Sequence, residues 1–164
     1  VEEHFDTTID LDIDAYLPET YVVSEEQRLD LYKRIALIDS EEGRDEVLDE
    51  LIDRFGEPSR SVQNLLFIAM LRMEAHKAFV TDIVQRPEEI VFTLFERAAI
   101  DASGIPAVIE KNKPYVTFTA DAKHPAFHYF YKKNSRIKPK DLPDLVMTFV
   151  KELQGLALNQ KLEN

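Results

Sequence analysis

The clearest pattern in the chain lies in residues 45–75. Val47, Leu48, Leu51, Ile52 and Phe55 recur at helical spacing, and Val62, Leu65, Leu66, Ala69, Met70 and Met73 form a second stripe of the same kind. Between them, Gly56 stands where a left-handed C-terminal cap is wanted, and Pro58 bars continuation of the first helix. The pattern predicts two antiparallel helices, over about residues 40–55 and 59–78, joined by a few residues. The face opposite the first stripe is almost wholly acidic: Asp45, Glu46, Asp49, Glu50 and Asp53.

The remaining elements are read from the same signals. Residues 7–14 alternate, with Thr7, Ile9, Leu11 and Ile13 on one side and Thr8, Asp10, Asp12 and Asp14 on the other, which predicts a half-buried strand. An extended stretch with Pro18 follows, and Ser24 with Gln27 marks the capping box of a helix reaching about residue 39. From residue 79 the period changes to strands over 79–85 and 89–95, joined at Arg86-Pro87. Residues 96–111 predict a helix, either interrupted at Gly104-Ile105-Pro106 or starting there with proline in its first turn. Strands over 115–119 and 126–131 precede a final helix over 141–153, whose buried stripe is Leu142, Leu145, Val146, Phe149, Val150 and Leu153. Gly155 caps that helix, and the remainder is expected to fray.

The order β-ααα-ββ-α-ββ-α predicts an α+β fold, a helical hairpin layer packed with a small mixed sheet. The 164 residues suit a single domain, comprising a strand and extended lead-in over 1–23, three helices over 24–78 and an α/β part over 79–155.

Composition then removes whole classes of function. No apolar run approaches the length of a membrane span, and no signal peptide is visible. The acidic start without an initiator Met is expected to be a boundary inside a longer protein, removal of the Met alone being the other explanation. The absence of cysteine excludes disulfides and thiolate metal sites, and fits a reducing cytoplasm. None of the four glycines forms a phosphate cradle, so no nucleotide or other cofactor is expected within these residues. His124 and His128 stand four apart, but Pro125 between them denies a shared helical face, and they read as ordinary loop or surface histidines. Ser24, Ser40 and Ser59 read as helix caps rather than nucleophiles. No catalytic constellation remains, so an enzyme is not expected.

Two charged surfaces are left. Lys132, Lys133, Arg136, Lys138 and Lys140 follow the aromatic run Tyr129-Phe130-Tyr131, a combination that can bind single-stranded nucleic acid. A net charge of −11 weighs against that and favours a solvated turn. On the acidic helix, Glu46, Glu50 and Asp53 are spaced by four and three and stack on one side. They are either a solvated face or a docking face for an arginine-rich partner.

Three ordered motifs resemble the C-terminal domain of bacterial transcription-repair coupling factors. They are Ile9-Asp10-Leu11-Asp12-Ile13-Asp14-Ala15-Tyr16-Leu17-Pro18-Glu19-Thr20-Tyr21-Val22 with Arg28-Leu29-Asp30-Leu31-Tyr32-Lys33-Arg34-Ile35-Ala36, then Glu50-Leu51-Ile52-Asp53-Arg54-Phe55-Gly56, then Leu65-Leu66-Phe67-Ile68-Ala69-Met70-Leu71-Arg72. The Gly-Ile usual in that family after the long helix is replaced by Ala78-Phe79-Val80. The resemblance implies a parent protein with an ATP- and magnesium-dependent DNA translocase that displaces stalled RNA polymerase and recruits excision repair. It implies that this domain docks on an excinuclease-subunit-B-like module of the same chain. Docking would mask the excinuclease-subunit-A-binding surface and restrain the motor. Polymerase and DNA would be met by other domains of the parent, and no membrane is involved. Through the motif match, Glu50 and Asp53 are the residues implied to pair with arginines of that module; Glu46 is added from spacing alone. A domain that directly recruits a repair or transcription partner, or a single-strand contact through Lys132 to Lys140, is the alternative.

Overall fold

A computed structural model describes residues 4–158. It divides into two compact units, one of Asp12–Met73 and one made of the chain up to Leu11 together with the chain from Glu74 on.

The unit of Asp12–Met73 is helical. It holds α1 (Glu25–Ala36), α2 (Glu41–Phe55) and most of α3 (Arg60–Lys77). The serine caps act as their positions predict: Ser24 Oγ accepts from the Gln27 backbone N–H at 3.2 Å, and Ser40 Oγ accepts from Gly43 N–H at 2.9 Å. Gly56 ends α2 at φ 88°, a region in which glycine has no Cβ to clash, and its N–H donates to Ile52 O. The core joins Leu17 and Val22 of the extended stretch to Leu31, Ile35, Val47, Leu51, Val62, Leu66 and Ala69. Polar staples fix that stretch. Tyr21 Oη donates to the carbonyls of Gly56 at 2.7 Å and Leu51 at 3.2 Å, and Tyr32 Oη accepts from Leu17 N–H at 2.8 Å. Ile52, placed in the α2 stripe, is exposed, and so is Leu29 of α1. At 100° per residue each sits one step beyond its stripe, where no neighbouring element covers it.

The other unit is built on a mixed sheet of five strands, β1 (Thr8–Asp10), β2 (Val80–Gln85), β3 (Ile90–Leu94), β4 (Val116–Thr119) and β5 (Ala126–Tyr129), in the order β1-β2-β3-β5-β4. β1 runs parallel to β2, and every other pair is antiparallel. Ile83, Phe92, Phe127 and Phe118 share one face through their register. The last helix, here α5 (Leu142–Gln154), supplies Phe149, which meets Phe92, Tyr129 and Phe127 with centroids 4.8, 5.3 and 5.8 Å apart. Of the predicted stripe, Leu142, Val146, Phe149, Val150 and Leu153 are buried and Leu145 is half-buried.

Several expectations are corrected. The alternating strand over 7–14 pairs only over Thr8–Asp10, with Asp82, Ile83 and Val84 of β2, because from Asp12 the chain belongs to the other unit. The in–out alternation itself persists to Asp14. Of the two readings offered for residues 96–111, the late start with proline in the first turn is the one found: a 3-10 turn (Ala102–Gly104) leads into α4 (Ile105–Lys111), with Pro106 in its first turn and Asp101 capping Ser103 N–H. Strand β2 begins at Val80, since Phe79 takes φ 60° to turn the chain out of α3. Beyond Gly155 the chain does not fray at once. Leu156 and Ala157 are buried, Asp101 N–H donates to Leu156 O at 2.7 Å, and Leu158 N–H donates to Ala99 O at 2.9 Å. Residues 159–164, and the acidic start at residues 1–3, lie outside the described residues.

Candidate functional site: the acidic face of helix α2

The apolar stripe of α2 faces its core through Val47 and Leu51, so its carboxylates are turned outward. Glu46, Asp49 and Asp53 are exposed, and none of them takes part in an ion pair among the described residues. Asp45 is engaged by Arg44 Nε at 2.9 Å.

Glu50 differs from its neighbours. Its Oε2 accepts from Arg34 Nη1 of α1 in a short charge-assisted bond, and from Arg54 Nη1 at 3.1 Å. Its side chain retains 32% of its exposure, so one edge of the carboxylate still meets solvent. The Arg34 bond is the main reason that the Glu50 carboxyl is held below the ordinary carboxylate range; partial burial opposes the shift and Arg54 adds to it. Arg34 is raised in turn, again chiefly by the Glu50 bond. Glu50 therefore serves the fold, tying α1 to α2, while it remains part of the acidic face.

The spacing of carboxylates along α2 does not disclose Arg34 as their partner, because it comes from another helix. The available signal was the basic last turn of α1, Lys33 and Arg34, next to a short connection into α2. Arg54 also lies 4.9 Å from the centroid of Phe55, which stacks its guanidinium against the helix end. Exposed Ile52, three residues from Asp49 on the helix surface, adds an apolar edge to the acidic face.

The histidines are apart from this face. His124 lies in the loop before β5. His128 lies within β5, its Nδ1 3.2 Å from Glu89 Oε2 and its Nε2 2.9 Å from Thr119 Oγ1. Among the described residues no group of three or more His, Asp or Glu side chains could hold a metal ion, and no helix is long and apolar enough to cross a membrane.

These elements define an α+β domain whose most distinctive surface is a helix lined with carboxylates, one of them held by an arginine from the preceding helix. The model of the TRCF domain family matches residues 11–105, and the chain belongs to that family. It is 36% identical over 102 residues to the transcription-repair-coupling factor of Bacillus subtilis, a match covering 62% of this chain and 9% of that protein. The corresponding protein of Mycobacterium tuberculosis is 38% identical over 82 residues, 50% of this chain and 7% of that protein. The chain thus spans less than a tenth of these relatives. A crystal structure of the C-terminal domain of a transcription-repair coupling factor superposes with a TM-score of 0.76 and 24% identity, over 92% of this chain and 93% of that one. The shared fold therefore extends past the family match, through α4, the last strands and α5.

Proposed function

We infer that the chain is a non-catalytic regulatory module of a longer, cytoplasmic transcription-repair coupling factor. Through Glu46, Glu50 and Asp53 it docks on arginines of the parent's excinuclease-subunit-B-like module. Docking masks the excinuclease-subunit-A-binding surface and restrains the ATP-driven translocase until RNA polymerase is engaged. ATP, magnesium, polymerase and the DNA track of the motor belong to other parts of the parent.

One observation carries this reading: Glu46 and Asp53 are exposed and in no ion pair among the described residues, on the side of α2 turned away from its core, with Glu50 between them already ionised and oriented. Guanidinium groups match such carboxylates in geometry as well as charge. Family membership and the shared C-terminal fold support placing the module in such a parent. Because module and target share one chain, effective concentration keeps a weak contact mostly closed, and loss of that contact shifts the population toward an open state.

The test is binding of this chain to the subunit-B-like module, wild type against Glu46→Lys with Asp53→Lys. This pair removes neither partner of the Glu50–Arg34 bond. Reversing two interfacial charges is expected to weaken binding by about tenfold or more. In the full-length parent the same variant is expected to raise ATP hydrolysis in the absence of polymerase. Unchanged binding, with circular dichroism intact, overturns the reading. A parent that loses recruitment of a partner without motor activation favours the recruiting role instead.

A further inference from the structure

The segment after β5 concentrates positive charge in a chain of net charge −11. Lys132, Lys133, Arg136, Lys138 and Lys140 are all exposed, and none of them forms an ion pair among the described residues. Three lysines elsewhere are paired, Lys77 3.6 Å from Glu74, Lys113 3.8 Å from Glu110 and Lys111 4.0 Å from Glu152, while Lys33, Lys123 and Lys151 are exposed singly and far apart in sequence.

The backbone under these cations is well held. Two 3-10 turns (Tyr131–Lys133 and Pro139–Asp141) bracket it, and the Asn134 carbonyl and Oδ1 accept from the N–H groups of Ile137 and Arg136, both at 3.1 Å. Buried Tyr131 anchors the first turn by donating from Oη to the Arg86 carbonyl. Between the turns lies a cleft of about 160 Å³, with Lys132, Asn134, Ser135 and Lys138 at its wall and Tyr131 and Leu142 beneath. Two carboxylates stand close in sequence, Asp141, which accepts from Lys138 N–H at 2.9 Å, and Asp144, so the segment keeps a clear positive excess.

We propose that this surface binds the phosphodiester backbone of a nucleic acid without reading its bases. The donors are those that phosphate oxygens take: four ammonium groups, one guanidinium and the Ser135 hydroxyl. The net charge of the chain does not forbid it, since at physiological ionic strength exposed charges are screened beyond about 8 Å and the local excess governs.

Base stacking is poorly served, contrary to what the aromatic run suggests. Lys133 Nζ lies 4.7 Å from the centroid of Phe130, the His128 ring stacks on Phe130 at 6.3 Å, and Lys132 Nζ lies 6.0 Å from the centroid of Tyr131. The rings that could receive bases carry the chain's own groups. An acidic protein partner fits less well, because protein interfaces are built around apolar anchors. Among the described residues the exposed large apolar ones are Tyr16, Val23, Leu29, Leu37, Ile52 and Leu158, none of them in this segment.

The experiment is fluorescence anisotropy of the 164-residue chain with labelled duplexes of two unrelated sequences and the matching single strands, with poly-glutamate as competitor. Binding at about 50 mM salt is expected, equal for both sequences, and about 40- to 150-fold weaker at about 200 mM for three to four phosphates neutralised on duplex. Lys138→Glu with Lys140→Glu is expected to cost about tenfold or more. Lys111→Glu with Lys113→Glu makes the same change in net charge at paired lysines and is expected to cost less than about threefold. No binding at low salt overturns the proposal, as does equal loss in the two double variants. Displacement by poly-glutamate as readily as by unlabelled duplex assigns the surface to an acidic peptide and overturns it too. The outcome does not depend on α2, so it leaves the docking reading of that helix untouched.

Discussion

The two charged surfaces of this chain are tied to its fold in opposite ways. On α2, the central carboxylate is bonded to Arg34 and Arg54, so part of the acidic face is also structure. On the segment after β5, five cations stand on a braced backbone and none meets a carboxylate within the described residues. A charge satisfied inside the chain contributes to stability and is only partly available to a partner. A charge left unsatisfied contributes almost nothing to folding, and its use lies outside the chain. The contrast is measurable, because substitutions in the two surfaces differ in what they cost the fold.

The scale is set by the packing that both surfaces rest on. Phe149→Ala removes the ring that joins Phe92, Phe127 and Tyr129, and is expected to destabilise by about 3–5 kcal/mol, read as a lower urea midpoint at unchanged m. Glu50→Ala is expected to cost about 1 kcal/mol, since its ion pairs are partly exposed and screened. A cost indistinguishable from that of Asp53→Ala, expected near zero, would mean that Glu50 is not structural and would erase the contrast. Lys138→Ala with Lys140→Ala is expected to stay within about 0.5 kcal/mol of wild type, while nucleic-acid binding falls. A loss comparable to Glu50→Ala would show that these lysines too are used by the fold.

The smallest effect is a pH dependence. The folded-state pKa of Glu50 is depressed, so the stabilisation it brings is fully present above the ordinary carboxylate pKa of about 4.3 and is lost as pH falls through the lower folded value. The stability difference between wild type and Glu50→Gln is therefore expected to be constant near neutrality and to shrink below about pH 4. A difference that grows on acidification would contradict the Arg34 bond as its cause.

Much of this was legible in the residues, wherever the deciding forces are local. The stripes of α2 and α5 follow from apolar residues recurring at helical spacing, and the starts of α1 and α2 follow from Ser24 and Ser40. The end of α2 follows from Gly56 and Pro58, because no other residue accepts that backbone so readily and none continues a helix through proline. The acidic face was equally legible as a set of positions on one helix.

Long-range partners decided the rest. That β1 is only three residues long depends on where β2 offers hydrogen bonds, some seventy residues later in the chain. The order β1-β2-β3-β5-β4 depends on which edges remain open once hairpins have closed, and alternation alone says nothing of neighbours. Leu156 to Leu158 read as a fraying end, yet burial of Leu156 and Ala157 and bonds to the Ala99 carbonyl and the Asp101 N–H, distant in sequence, hold them. Glu50 and Asp53 look alike in sequence. Only the packing of α1 beside α2 brings Arg34 to the first and leaves the second open, because an ion pair is made by position in space. The sequence determined which groups each helix presents; the tertiary structure decided which of them the fold consumes and which it leaves for a partner.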